Sequence, residues 1–379
     1  MNFELTEEHK MIRDAARDFA QNELLPGVIR RDEEQAFPSE QVKQLGELGF
    51  LGMMVNPKYG GAGMDTVSYI LAMEEISKVD ASTSVVMSVN NSLVCWGIET
   101  FGTLEQKEKY LKPLAKGNKI GAFCLSEPEA GSDATSQKTT AIDKGDYYLL
   151  NGTKNWITNG SSAEIYLVIA QTDIDKGHKG INAFIVEKGM EGFVVGQKEN
   201  KLGIRGSDTH SLMFTDVCIP KENRIGEDGF GFSFAMKTLS GGRIGIAAQA
   251  LGIASGAYEL ALKYSKERKA FGKEISKHQA IGFKLADMVT EIDAARLLCL
   301  KAGWLKDNNY NYDQAGAMAK LFSSETAMKT TTEAVQIHGG YGFVKEYHVE
   351  RLMRDAKITQ IYEGTSEIQR IVISRSVLK

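Results

Sequence analysis

One carboxylate stands in a setting that could do chemistry. Glu363 lies in Ile361-Tyr362-Glu363-Gly364-Thr365-Ser366-Glu367-Ile368-Gln369, a loop that leads into a last helix capped by Thr365 or Ser366, with Ser366 and Gln369 spaced as a capping box. Apolar Ile361 and Tyr362 on one side and Gly364 on the other favour burial, which raises a carboxyl pKa, while the helix N-terminus opposes that shift. An acid tuned towards neutrality can serve as a general base. A solvated acid at a helix start reads the same residues without chemistry. Three further segments could hold a ligand. Phe123-Cys124-Leu125-Ser126-Glu127-Pro128-Glu129-Ala130-Gly131-Ser132-Asp133 runs from a strand into a loop of hydroxyls and glycine, either a polar turn or a ligand loop. Asn155-Trp156-Ile157-Thr158-Asn159-Gly160 sets an aromatic and a hydroxyl at a strand end, with core packing of Trp156 the ordinary reading. Gln336-Ile337-His338-Gly339-Gly340-Tyr341-Gly342 breaks a long helix with glycines that admit close backbone approach, and an inter-helix turn explains it as well.

Other chemistries lack their residues. No dinucleotide-binding glycine motif, P-loop, H-E-x-x-H or G-x-S-x-G is present, and the six histidines never fall three or four apart, which argues against a metal site. Against 45 basic residues stand 49 acidic ones, so no cationic excess favours nucleic acid or an anionic membrane. Cys95, Cys124, Cys218 and Cys299 are widely separated, the usage of reduced cytoplasmic thiols. The start, Met1-Asn2-Phe3-Glu4-Leu5-Thr6-Glu7-Glu8, is acidic where a signal peptide is basic. The uncharged run 81–98 carries too many hydroxyls and amides for a membrane span and reads as a buried helix.

The elements that must position these residues follow from periodicity. Residues 1–119 read as an α-helical domain: Thr6 caps a helix with Met11, Ala15 and Phe19 on one face, Ser39 opens another with Val42, Leu45 and Leu48 inward, and Thr103 to Gln106 forms a capping box. Residues 120–228 change to short β-rich runs at 120–125, 147–150, 165–170, 183–186, 193–195 and 211–214, with Asn151-Gly152 a hairpin signal, and predict an antiparallel sheet or small barrel. Residues 229–379 return to long helices near 230–265, 276–306, 312–336 and 344–357 and from Thr365, a bundle in which Gly245, Ala248, Gly252 and Gly256 let a neighbour approach closely. The fold class is α+β multidomain, in the order α, β, α.

Together the four segments, in this order, resemble the acyl-CoA dehydrogenase family. Gly242-Arg243-Ile244-Gly245-Ile246-Ala247, Glu267-Arg268-Lys269-Ala270-Phe271-Gly272 with Gln279, and Arg351-Leu352-Met353-Arg354-Asp355-Ala356-Lys357 extend the match over nearly the whole chain. The resemblance implies FAD held between the β-domain and the C-terminal bundle, partly by a neighbouring subunit, in a homotetramer built as a dimer of dimers. It implies Phe123, Leu125, Ser126, Trp156, Ile157 and Thr158 around the isoalloxazine, and Ser132 near the FAD phosphates and the CoA chain. Arg268, Gln279, Gln336, Gly339 and Gly340 match residues reaching the adjacent subunit's FAD, with Thr365 and Glu367 at the end of the last helix. It implies removal of an acyl-CoA α-proton by Glu363 as Cβ delivers hydride to flavin, giving a trans-2-enoyl-CoA, with electrons leaving to an electron-transferring flavoprotein. Some relatives carry the glutamate at the position of Gly242 instead, so Glu363 points to the short- and medium-chain arrangement. Met87-Ser88-Val89-Asn90-Asn91-Ser92-Leu93 resembles the short-chain, butyryl-CoA type. Ser240, where many relatives have an acid, joins Arg243 and Gly364 as a substrate-side candidate. Branched short-chain substrates, or a non-catalytic acyl-CoA or flavin binder on the same scaffold, are the alternatives.

Overall fold

The computed structural model describes residues 4–378; Met1 to Phe3 of the acidic start, and Lys379, lie outside the described residues. The first third is helical: α1 (Glu7–Phe19), α2 (Val28–Glu34), α3 (Ser39–Glu47), α4 (Thr66–Val79), α5 (Ala81–Ser88), α6 (Trp96–Phe101), α7 (Leu104–Gln106) and α8 (Lys112–Ala115). Thr6 caps α1, its hydroxyl accepting from the His9 N–H at 3.1 Å, and the Thr103–Gln106 box closes as expected. The inward stripe of α1 is Ile12, Ala16 and Phe19, whereas Met11 and Ala15 face outward. Met11 shares its face with Asp14 and Asp18, which explains why the packed stripe lies one residue further on. Leu48 is likewise half exposed, because α3 ends at Glu47 and leaves it at the cap.

Residues 81–98 are almost wholly buried, as expected of them. Their two buried asparagines bond the backbone of neighbouring segments. Asn90 donates to the carbonyls of Leu51 and Leu114 and accepts from the Gly121 N–H, while Asn91 donates to Phe50 and accepts from Met53. Each buried amide thus ties a helix to an adjoining segment instead of being stranded.

The central sheet comprises β1 (Gly121–Cys124), β2 (Thr140–Asp143), β3 (Tyr147–Thr158), β4 (Ile165–Gln171), β5 (Ile181–Glu187), β6 (Phe193–Lys198), β7 (Thr209–Pro220) and β8 (Arg224–Ile225). Their order is β6-β7-β3-β2-β4-β5-β8, with β1 paired to β4. Most pairs are antiparallel, as expected, but β1 runs parallel to β4 and β2 meets β4 by a parallel bridge. Asn151-Gly152 is not a hairpin turn. It lies inside the twelve-residue β3, where Gly152, at φ 142°, makes a bulge against β7, and the β2–β3 turn comes earlier at Gly145, φ 93°. A bulge and a tight turn ask for the same backbone freedom, so the dipeptide signals both.

The last third holds α9 (Gly231–Glu267), the two-residue strands β9 (Lys269–Ala270) and β10 (Lys273–Glu274), α10 (Gln279–Asp307), α11 (Asp313–His338), α12 (His348–Thr359) and α13 (Ser366–Val377). The helix expected from 344 begins at His348, since Val344 is extended after the Gly339–Phe343 turn. α9 is long and apolar enough to cross a membrane, but its most apolar stretch is 83% buried against other helices. Its small residues explain how: a Cβ on Gly252 would lie 2.4 Å from the Glu74 carbonyl, and one on Gly256 2.4 Å from that of Lys78. α4 packs where side chains would otherwise stand.

Candidate active site

Between α12 and α13 the chain makes two successive left-handed residues, Glu363 at φ 50° and Gly364 at φ 92°. A non-glycine residue there is costly unless its surroundings enforce it. Three groups do so. The Gln369 side-chain amide donates to the carbonyls of Glu363 (3.2 Å) and Gly364 (2.8 Å), Lys320 Nζ from α11 donates to Gly364 O at 2.7 Å, and the Ser366 N–H returns to Gln360 O at 2.9 Å. Thr365 is the cap of α13, accepting from the Ile368 N–H at 3.3 Å. The Ser366/Gln369 capping box does not form: Ser366 Oγ is buried without a partner and Gln369 is committed to the loop carbonyls. Glu367 is exposed in the first turn, its carboxyl held low by its own N–H and the Thr365 hydroxyl.

The Glu363 residue is partly open, yet its Oε2 is enclosed and has no hydrogen-bond partner. Burial pushes its carboxyl up to about 7, against the opposing pull of Lys320 and then Arg243. Two cations thus act in the same direction as the opposition expected of the helix end. Oε2 occupies the space above Gly242 of α9, where a Cβ would sit 2.1 Å from it. Glu363 and a side chain at 242 therefore compete for one volume. Arg243 is buried and its guanidinium is pulled down by desolvation, with Asp313 and then Glu363 opposing. Ser240 spends its hydroxyl within the helix, donating to Met236 O at 3.2 Å and facing Arg243 at 3.5 Å. Tyr362 reaches from the same loop to Gln249, and Tyr69 of α4 bonds Ser88 at 3.2 Å beneath Gly245.

A second group gathers at the end of β3. Trp156 is not packed in the core; it is 55% exposed, at φ 57°, between half-buried Asn155 and buried Ile157. The Asn155 N–H bonds Ser126 O at 2.9 Å, which brings Trp156, Ile157 and Thr158 beside half-buried Phe123, Leu125 and Ser126. Behind them Lys154, wholly buried, donates to Leu125 O (3.1 Å) and to the Glu127 carboxylate (2.7 Å), and Glu127 accepts from the Lys138 and Thr139 N–H groups. This ion pair pins both ends of the loop that carries exposed Ser132. An open aromatic face edged by Ser and Thr hydroxyls suits a flat heteroaromatic ring. The residues thus fit an isoalloxazine.

Arg268, Gln279, Gln336, Gly339 and Gly340 all lie exposed on the C-terminal helices and their turns. The Arg268 guanidinium sits 5.5 Å from the Tyr341 ring, which joins the end of α9 to the Gly339–Phe343 turn. Neighbouring Phe271 and Phe343 are 96% and 87% exposed. Sequence reasoning missed Lys320 and the Lys154–Glu127 pair. For Lys320 the signal was a lone lysine amid small residues, Ala317, Ala319, Ser323 and Ser324, a helix face too close-packed to be solvated.

Family models cover most of the chain: "Acyl-CoA dehydrogenase, N-terminal domain" over residues 6–118, the middle domain over 122–217 and the C-terminal domain over 229–378. The short-chain specific acyl-CoA dehydrogenase of Clostridium acetobutylicum is 52% identical over 379 residues, 100% of both chains. The solved butyryl-CoA dehydrogenase of Megasphaera elsdenii superposes with a TM-score of 0.99 at 50% identity, 100% of each chain covered. A chain from structural work on the electron transferring flavoprotein of Acidaminococcus fermentans and flavin-based electron bifurcation superposes equally well, TM-score 0.99, at 54% identity over 100% of both.

Proposed function

The chain belongs to the acyl-CoA dehydrogenase family, and from that premise we propose that it oxidises short-chain acyl-CoA thioesters, of the butyryl-CoA type, to trans-2-enoyl-CoA with Glu363 as the base. As a family member it is a flavin-dependent oxidoreductase acting on the CH–CH bond of acyl-CoA. The observation that carries the base assignment is the Glu363 carboxylate, enclosed above Gly242 with Oε2 unpartnered and its pKa near the pH at which it must work. FAD, when bound, supplies the acceptor for the hydride that leaves Cβ.

Glu363 takes the α-proton onto its carboxylate. The negative charge that develops on the thioester oxygen needs fixed donors. The Glu363 N–H has no partner among the described residues and lies next to the base, which suits that task. Lys320 and Arg243 oppose protonation of Glu363 before substrate arrives. Trp156, Ile157, Thr158, Phe123, Leu125 and Ser126 would hold the isoalloxazine, Ser132 the phosphates and CoA chain, and Ser240, Arg243 and Gly364 the acyl-CoA near the base. Arg268, Gln279, Gln336, Gly339 and Gly340 would reach the FAD of a neighbouring subunit in a homotetramer, and Thr365 and Glu367 would contact FAD from the start of the last helix. The exposed Phe271 and Phe343 beside them support a subunit contact at that end. Electrons would leave to an electron-transferring flavoprotein, a reading supported by the likeness to the Acidaminococcus chain.

Anaerobic titration of the purified protein with butyryl-CoA, octanoyl-CoA and isovaleryl-CoA tests the whole reading. A yellow protein whose flavin bands bleach most readily with butyryl-CoA is expected. Flavin that none of the three reduces would assign the chain to binding without turnover.

A further inference from the structure

We infer that Lys320 is a positioning residue of this reaction: from α11 it fixes the Gly364 carbonyl, and with it the left-handed Glu363-Gly364 pair, and it supplies the cation that balances the base. The inference rests on Glu363 being the base. Lys320 is fully buried, and its Nζ donates to Gly364 O at 2.7 Å. No carboxylate comes within ion-pairing distance of it among the described residues. An ammonium buried on a lone carbonyl costs free energy that an apolar side chain of similar length would not. Packing alone therefore gives no reason for a lysine here.

Its surroundings supply one. The groups acting on Lys320 are Glu363 first, then Arg243, Glu325 and Glu367, and burial pulls its amine down to about 8, so it still carries its charge at neutral pH. Those acting on Glu363 are Lys320 from α11 and Arg243 from α9; Tyr69 of α4 and Tyr362 of the same loop also sense its charge, both held neutral by burial. Of the two cations facing the carboxylate, Lys320 acts on it more strongly than Arg243, and it alone is also bonded to the loop that presents it. Position and charge arrive through one side chain.

The two contributions separate by substitution. Lys320→Gln keeps a donor for Gly364 O and removes the charge; Lys320→Met removes both; Lys320→Arg keeps both. The flavin-loaded enzymes are compared by the pH profile of kcat/KM for butyryl-CoA. The Glu363 carboxyl is titrated independently by infrared difference spectroscopy, with Glu363→Gln assigning the band. Losing a nearby cation raises a carboxyl pKa by about one unit or more. From a starting point of about 7, a one-unit rise leaves roughly a tenth of the base ionised at pH 7 in place of half, so activity there falls about fivefold. In Lys320→Gln the acid limb and the infrared titration move up together while the high-pH plateau stays near wild type. In Lys320→Met the plateau drops as well, and Lys320→Arg restores the limb. An acid limb and a carboxyl titration at their wild-type positions in both charge-free variants would overturn the inference. So would loss of folding in both, with Arg restoring only the fold. Wild-type turnover by Glu363→Gln is a different failure, since it removes the base assignment itself whatever the Lys320 variants do.

Discussion

Replacing Gly242 by alanine tests the site at its tightest point. A Cβ there would lie 2.1 Å from Glu363 Oε2 and 2.7 Å from Leu93 Cδ2, and ordinary contact begins at 3.4 Å. The carboxylate must then retreat by about 1.3 Å. Oε2 and Leu93 Cδ2 are both far ends of flexible side chains, so the movements are sterically cheap, and alanine in a helix is favoured over glycine by about 1 kcal/mol. Stability should therefore hold or rise. Catalysis should not, because misplacing a reacting group by about 1 Å costs on the order of 10²-fold. Steady-state kcat/KM for butyryl-CoA, with Tm and flavin content measured on the same preparation, reads both sides. A Gly242→Ala enzyme within twofold of wild type would refute the claim that Glu363 works from this position. A variant that loses its flavin or unfolds would refute the claim that the Glu363 and Leu93 side chains make room for the methyl group.

Three further outcomes follow from the same geometry. The kcat/KM of the wild-type enzyme should fall as pH drops through about 7, because the base must be ionised and burial has raised it to that value; an acid limb near pH 4.5 would show an unburied carboxyl. The folded-state pKa of Glu363 lies above its unfolded one, so its ionisation opposes folding progressively above pH 4.5 and fully above 7. Glu363→Gln should then raise Tm at pH 8 and leave it little changed at pH 4, and equal shifts at both would contradict this. Lys154→Met leaves the Glu127 carboxylate buried without its cation and the loop to Thr139 without its anchor, a loss of about 3–5 kcal/mol in urea denaturation with early release of flavin. A loss under about 1 kcal/mol would show that the pair contributes no more than an exposed one.

How much of this was legible in the sequence depended on whether the cause was local. The Glu363 loop was readable because a capping threonine, a glycine and flanking apolar residues lie within nine positions. Its cap fell to Thr365 and not to a Ser366/Gln369 box because Gln369 was claimed by the carbonyls of Glu363 and Gly364. The order of helical and β-rich segments followed from periodicity, while the inward face of α1 was misplaced by one residue, where Met11 and Ile12 are equally apolar and only Asp14 and Asp18 separate their faces. Trp156 read as core because size favours burial; its exposure comes from a left-handed backbone that no propensity signals. Lys320 and the Lys154–Glu127 pair act across 44 and 27 residues of chain, a separation that periodicity and turn chemistry do not span.

The most direct test of the account is rapid-mixing anaerobic reduction of Glu363→Gln by butyryl-CoA, followed at the flavin absorbance band. The variant should stay yellow and bind the thioester, with flavin bleaching slowed on the order of 10²–10⁴-fold, the worth of a positioned base. Bleaching at the wild-type rate would show that another group removes the α-proton.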